Sequence, residues 1–192
     1  MRIDFLFSHA HSTNVITLYH GTTHDITKID VLRGKPFKDF GQGFYTTWNR
    51  ESAVNMALRN RDIELRRLAR RGIIREVTAY LYTFEFDESK LAGLNVKKFD
   101  RADKEWVLFA TDNRSHNPHN HSSDIVIGPT ANDQTNPTIQ TYLNEGYGTV
   151  GSDRAIEILI EFLEPHNLPY QYFFGTDRAA NLLVLKGRRV VK

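Results

Sequence analysis

From Val77 to Phe86 two sets of side chains interleave, with Val77, Ala79, Leu81, Thr83 and Glu85 on one side and Thr78, Tyr80, Tyr82, Phe84 and Phe86 on the other. Alternation with a period of two marks a strand, and bulk on both sides marks a central one, covered on both faces. The rest of the chain supplies partners for it. Val15 to Tyr19 reads as a short apolar strand, and a second follows Gly41. Arg50 to Arg71 is rich in helix formers, with Ala53, Met56, Ala57, Ile63, Leu65 and Leu68 near helical spacing, Asn49 able to cap it and Gly72 to stop it.

Further on, Lys104 to Asp112 is expected to form a short helix burying Trp106, Leu108 and Phe109, followed by a His/Asn-rich loop over Ser115 to Ser123. Asp124 to Ile127 reads as a strand ended by Gly128-Pro129. Ser152 to Glu164 reads as an amphipathic helix with Ile156, Leu159, Ile160 and Leu163 on one face, stopped by Pro165. Gln171 to Phe174 and Leu182 to Leu185 complete the strands. Strands before and after helical insertions favour an α+β fold over regular βαβ alternation.

A chain of 192 residues with 40% hydrophobic content can build one real core, so a single domain over residues 1–192 is expected. No run approaches the roughly 18 apolar residues of a membrane span, and Met1 to Asn14 is interrupted by histidines, serines and Asp4. These features predict a cytoplasmic protein with no membrane partner. The absence of cysteine removes disulfides, thiolate metal ligands and a thiol nucleophile. A formal charge of +2 is too small for strong global attraction to nucleic acid or anionic lipid.

Two motifs carry the chemistry: Leu18-Tyr19-His20-Gly21-Thr22-Thr23 and Gly41-Gln42-Gly43-Phe44-Tyr45-Thr46-Thr47. Each sets a ring-bearing side chain and an unobstructed glycine backbone at an expected strand end. An imidazole and a glycine facing a phenol can hydrogen-bond a ribose and a carboxamide while the phenol ring stacks on a flat heterocycle. Binding the nicotinamide riboside half of NAD requires those contacts.

These motifs resemble the ADP-ribosyltransferase superfamily, in the clade of diphtheria toxin and the poly(ADP-ribose) polymerases. That clade has an aromatic-His-Gly-Ser/Thr strand, matched by Tyr19-His20-Gly21-Thr22, and a Gly-x-Gly-hydrophobic-Tyr strand, matched by Gly41-Gln42-Gly43-Phe44-Tyr45. The resemblance implies a split β-sandwich with helical insertions. It also implies NAD as ADP-ribose donor without a metal, held by His20, Gly21, Thr22, Gly43, Tyr45 and Gln171. His20 would bond the adenosine-side ribose, Gly21 the carboxamide, and the Tyr45 ring would stack on nicotinamide. The family's late-strand Glu corresponds to Gln171 in Pro169-Tyr170-Gln171-Tyr172. A glutamine can accept a bond from a ribose hydroxyl but carries no charge and removes no proton, which predicts slow, mono-only transfer.

Glu105, opening the helix before Trp106, is the acidic alternative to Gln171 for completing the site; more often such a Glu is a solvated first-turn residue that offsets the helix dipole. The expected catalytic set is thus Tyr45, Gln171 and Glu105. Asp133 reads as a turn former. His116, His119 and His121, with His9 or His11, read as a solvated loop rather than a zinc site. Arg59, Arg61, Arg66, Arg67, Arg70 and Arg71 load one helix with guanidinium groups able to grip phosphates or an acidic protein, partly offset by Asp62 and Glu64. The functional expectation is mono-ADP-ribosylation of a macromolecular acceptor, protein or nucleic acid, by a toxin or defence effector with an inhibitory antitoxin protein. The alternative is a weak or inactive module that binds NAD or ADP-ribose and docks a partner.

Overall fold

The computed structural model describes residues 14–131, 135–163 and 168–192. It is a mixed α+β arrangement of two sheets with helices outside them. The first sheet has the order β1-β3-β7, from Val15–Thr22, Ala79–Asp87 and Leu183–Val191, all antiparallel. The expected central strand is indeed its centre. The second has the order β2-β6-β5-β4, from Phe44–Thr46, Tyr170–Phe174, Ile125–Pro129 and Val96–Lys98, with only β4 and β5 parallel.

Among the described residues one backbone bridge joins the sheets, in which Tyr19 and Thr47 exchange both N–H···O bonds at 2.7 and 2.9 Å. Aromatic side chains fill the space between the sheets. Leu18, Tyr82, Phe84 and Phe86 from the first sheet meet Phe44, Ile125, Ile127, Tyr172 and Phe174 from the second. Because side chains alternate along a strand, Gln171 and Phe173 of β6 point the opposite way. There Phe173 and Val126 join a second core with Trp106, Val107, Ile139, Tyr142, Ile156 and Leu159.

Those core helices are α2 (Lys104–Ser115), α3 (Asn136–Leu143) and α4 (Asp153–Leu163). Asp103 caps α2 by accepting from Trp106 N at 3.1 Å, and the buried Trp106 indole donates to Pro129 O at 2.9 Å. Leu108 lies outside this core, exposed on the opposite side of α2, contrary to expectation. The strand β4 and the helix α3 are additional to the expected elements. The helix end at Glu164-Pro165 and the turn at Asp133 lie outside the described residues.

On the outer face of the first sheet lies α1 (Arg50–Ala69), capped by Asn49, whose side chain accepts from Ser52 N, and followed by Gly72 at φ +68°. Ala53, Ala57 and Leu68 are its buried residues, whereas Met56, Ile63 and Leu65 are exposed. The helix sits very close to the sheet. A Cβ on Gly21 would fall 1.8 Å from Ala53 O, so glycine is what lets α1 approach β1. A four-residue helix, α5 (Asp177–Ala180), links β6 to β7.

Candidate functional site

The segment between β1 and β2 folds back over the start of β2. The Gln42 amide donates to Leu32 O and Gly34 O at 2.6 and 2.9 Å, closing the turn. Gly41, at φ +87°, leaves room for the His119 ring, which a Cβ would meet at 2.5 Å. A Cβ on Gly43 would strike Phe173 at 2.3 Å. The glycines of the second motif thus seat the loop against β6 and the 116–121 loop.

Tyr45 stands on β2 opposite Phe173 and packs edge-on against it, with ring centroids 5.2 Å apart. Its hydroxyl donates to Gly41 O at 2.7 Å and accepts from Phe40 N at 3.1 Å. Burial, reinforced by the negative charge of Asp39, raises the phenol well above its usual pKa, so it stays protonated.

His20 lies inside β1, which extends to Thr22, rather than at a strand end as expected; its Cα partner is Tyr82. Its Nδ1 is 2.7 Å from Tyr45 O, and its ring lies 4.5 Å from that of Phe44. Burial lowers its pKa to about 4, which the Tyr45 carbonyl only partly opposes, so the imidazole is neutral at pH 7 and donates this bond from Nδ1. Thr22 is buried beside it, its hydroxyl accepting from His24 N at 3.2 Å.

Gln171 is buried on the same face of the second sheet as Tyr45, two positions along β6 from Tyr45's partner Phe173. Its Nε2 donates to Asp39 Oδ2 at 3.0 Å. Asp39 is only 4% exposed. Arg114, on the last turn of α2, donates from Nε and Nη2 to Asp39 Oδ1 at 2.7 and 2.6 Å and from Nη1 to Asn136. Oδ2 takes Ala131 N at 2.9 Å, the Thr130 hydroxyl at 3.2 Å and Gln171. Asn113, one residue before Arg114, donates to Asp39 O at 3.2 Å.

The sequence reading therefore names His20, Tyr45 and Gln171, and the fold brings them onto adjoining strands where the two sheets meet. Glu105 is not with them. It projects from the first turn of α2, mostly exposed, paired with Lys97 at 2.6 Å. The buried carboxylate beside Gln171 is instead Asp39, in sequence one charge among several in a polar loop. Its signal was present: Asp39-Phe40 sets an acid beside an aromatic directly before the Gly41-x-Gly43 motif.

His119 and His121 stack on each other with centroids 4.3 Å apart, and burial lowers the pKa of both. His121 is bonded to Phe40 O at 2.9 Å, while His116 turns back to Asp112. Among the described residues no three His, Asp or Glu side chains form a metal-binding group; His9 and His11 lie outside them. On α1, Glu64 takes two bonds from Arg67 at 2.7 Å, and Arg66, Arg70 and Arg71 are exposed. No helix among the described residues is long and apolar enough to cross a membrane. A surface cleft of 180 Å³ is lined by Ile26, Lys28, Asn181 and Leu183 among others, and by Tyr82, the Cα partner of His20.

Comparison with curated proteins and with solved structures returns no match in either case. The family described as "Protein of unknown function (DUF3990)" matches residues 16–185, a span that holds both glycine motifs, Asp39 and Gln171, and the chain belongs to that family.

Proposed function

We propose that the protein is an NAD-dependent mono-ADP-ribosyltransferase built on the split β-sandwich of the superfamily that its motifs resemble. One observation carries the reading. The His20 imidazole is hydrogen-bonded to the Tyr45 carbonyl at the junction of the two sheets, with Tyr45 and Gln171 on one face beyond it. Three segments far apart in sequence thereby supply a neutral imidazole between the sheets and, across β2 from it, a phenol ring and an amide on the other face of the second sheet. That is the set needed to hold a nicotinamide riboside.

In the reaction, the bond between the nicotinamide ring nitrogen and ribose C1 breaks with its electron pair going to nicotinamide. A nucleophile of a macromolecular acceptor, protein or nucleic acid, bonds to C1 and gives up its proton to water. Positive charge develops on the sugar between the two events, so acceptor oxygens near the ribose stabilise the transition state more than the ground state. Gln171 contributes such an oxygen without a full charge. Slow, single transfer follows, because no carboxylate at 171 is there to take the acceptor's proton.

The binding half is tested by Tyr45→Ala. Losing a stacking ring, worth roughly 1–3 kcal/mol on aromatic platforms, weakens NAD about tenfold or more by calorimetry. Equal affinity for both proteins would remove the pocket assignment. NAD binding without nicotinamide release from the wild type, across protein, RNA and DNA acceptors, favours the second reading, an NAD-binding module that docks a partner. Gln171 in place of a carboxylate is the observation that favours it.

A further inference from the structure

Resting on that functional reading, the geometry points to Asp39 as the positioning residue that gives Gln171 its working orientation. An ionised carboxylate only accepts hydrogen bonds, so the Gln171 amide must turn Nε2 toward Asp39 Oδ2, 3.0 Å away. The carbonyl oxygen, Oε1, is then directed away from Asp39. That oxygen is the group a ribose hydroxyl would donate to. With the amide reversed, an NH₂ would face the hydroxyl and the acceptor beside the developing positive charge would be lost.

Asp39 is well held for this role. Arg114 occupies Oδ1 with two bonds and leaves Oδ2 to three donors, Gln171, Ala131 N and the Thr130 hydroxyl. Every group facing the carboxylate is therefore a donor. An asparagine side chain at position 39 must aim its NH₂ at a donor whichever way it turns. Only Gln171 and the Thr130 hydroxyl can rotate to accept. Arg114 cannot accept at all, so the introduced NH₂ is expected on the Oδ2 side, where the Gln171 amide reverses to accept from it and its acceptor oxygen turns inward.

A swap of the two groups tests this. Nicotinamide release is measured for the wild type, Asp39→Asn, Gln171→Glu and the double variant, with folding followed by circular dichroism and NAD affinity by calorimetry. Asp39→Asn lowers release at least about tenfold. Gln171→Glu alone sets two carboxylates against each other and also loses activity. In the double variant the introduced amide at position 39 donates to the new carboxylate, an acceptor oxygen again faces the ribose, and release recovers at least about tenfold over Asp39→Asn. Because a charged oxygen at position 171 favours cleavage by itself, recovery supports the positioning role only together with the loss in Gln171→Glu alone, and Gln171→Glu at or above wild-type release overturns it. Folded Asp39→Asn with wild-type release overturns the proposal, as does a folded double variant no better than Asp39→Asn. Independently of folding of the variants, the wild-type Gln171 side-chain amide protons, followed by NMR, should exchange slowly with solvent, and free exchange would overturn it as well. A wild type that neither binds NAD nor releases nicotinamide overturns the functional reading itself, whereas an active wild type matched by Asp39→Asn overturns only the role of Asp39.

Discussion

Two buried aspartates each anchor a loop to the second sheet, and they do so in opposite ways. Asp124, just before β5, takes Arg178 Nε and the Thr176 hydroxyl, both at 2.7 Å, and Asn95 N at 2.8 Å. Its groups tie β4, β5 and the start of α5 into one corner, and its arginine is 62% exposed. Asp39 ties the segment before β2 to β5, β6 and α2, and its arginine is 11% exposed. At the Asp124 corner the cation can be hydrated and the partners serve the fold. At the Asp39 corner the cation has no such outlet, and one partner is an amide in the proposed site. A charge of the same sign and burial is thus wiring in one place and orientation of a functional group in the other.

The sharpest way to break that contrast is to delete each carboxylate. Asp39→Ala leaves Arg114 buried without its anion, and removing one member of a buried pair costs about 3–5 kcal/mol. Asp124→Ala leaves its arginine able to reach water, so the loss is chiefly the unpaired Asn95 amide and Thr176 hydroxyl, about 2–3 kcal/mol. Urea titrations of both variants give the order. A larger loss at Asp124 would mean that solvent access to the arginine does not decide the cost.

Acid separates the regions further. Bonding to Arg178 first, then to Asn95 and Thr176, holds the pKa of the Asp124 carboxyl at about 2 against an ordinary value of 3.8. A lowered carboxylate contributes stability above its unfolded pKa and loses it as pH falls through the folded one, so this part is lost between about pH 4 and 2. His20 acts in a higher window. Its pKa is lowered from 6.5 to about 4 by burial. Between those values the unfolded chain binds a proton that the folded chain refuses, so stability falls as pH drops from about 6.5 to 4, and not further below. The wild-type minus His20→Gln difference in stability should slope only in that upper window, and the difference for Asp124→Asn only in the lower one. A His20 difference that is flat from pH 7 to 4 would show that the imidazole is not desolvated.

The smallest effect is expected far from both corners. Arg66, Arg67 and Arg70 on α1 face solvent, and the Arg67–Glu64 pair is a surface pair of little weight. Reversing all three to Glu should leave nicotinamide release and stability nearly unchanged while reducing labelling of an acceptor that docks there. A parallel fall in release, with the fold intact, would attach α1 to the site.

How far the site was legible follows from where its signals lie along the chain. His20 and Tyr45 sit in short motifs whose residue types declare a strand, a glycine and a ring, so both could be picked out. Gln171 is marked by the resemblance alone, as the residue standing where the ADP-ribosyltransferase family has its late-strand Glu. Asp39 is marked only by its place before the Gly41-x-Gly43 motif, and Arg114 by nothing local. They are 75 residues apart, and a charged residue in a polar loop or on a helix end is ordinarily solvated. Glu105 shows the converse: a carboxylate beside a buried tryptophan looks placed for chemistry, yet helical geometry turns it outward to Lys97. The same geometry exposes Leu108, two residues past the tryptophan.

By itself the sequence determined what local periodicity and stereochemistry encode: the two-faced central strand, the capped helix α1 with its glycine stop, the amphipathic helix α4, and the glycines that admit close approach. Strand order, the Tyr19–Thr47 bridge between the sheets and the burial of Asp39 against Arg114 and Gln171 were decided only in three dimensions. Alternation tells which residues share a face of one strand. Which loop then covers that face depends on long-range packing of aromatic side chains between the sheets and on the helices behind them, and no local pattern carries that information.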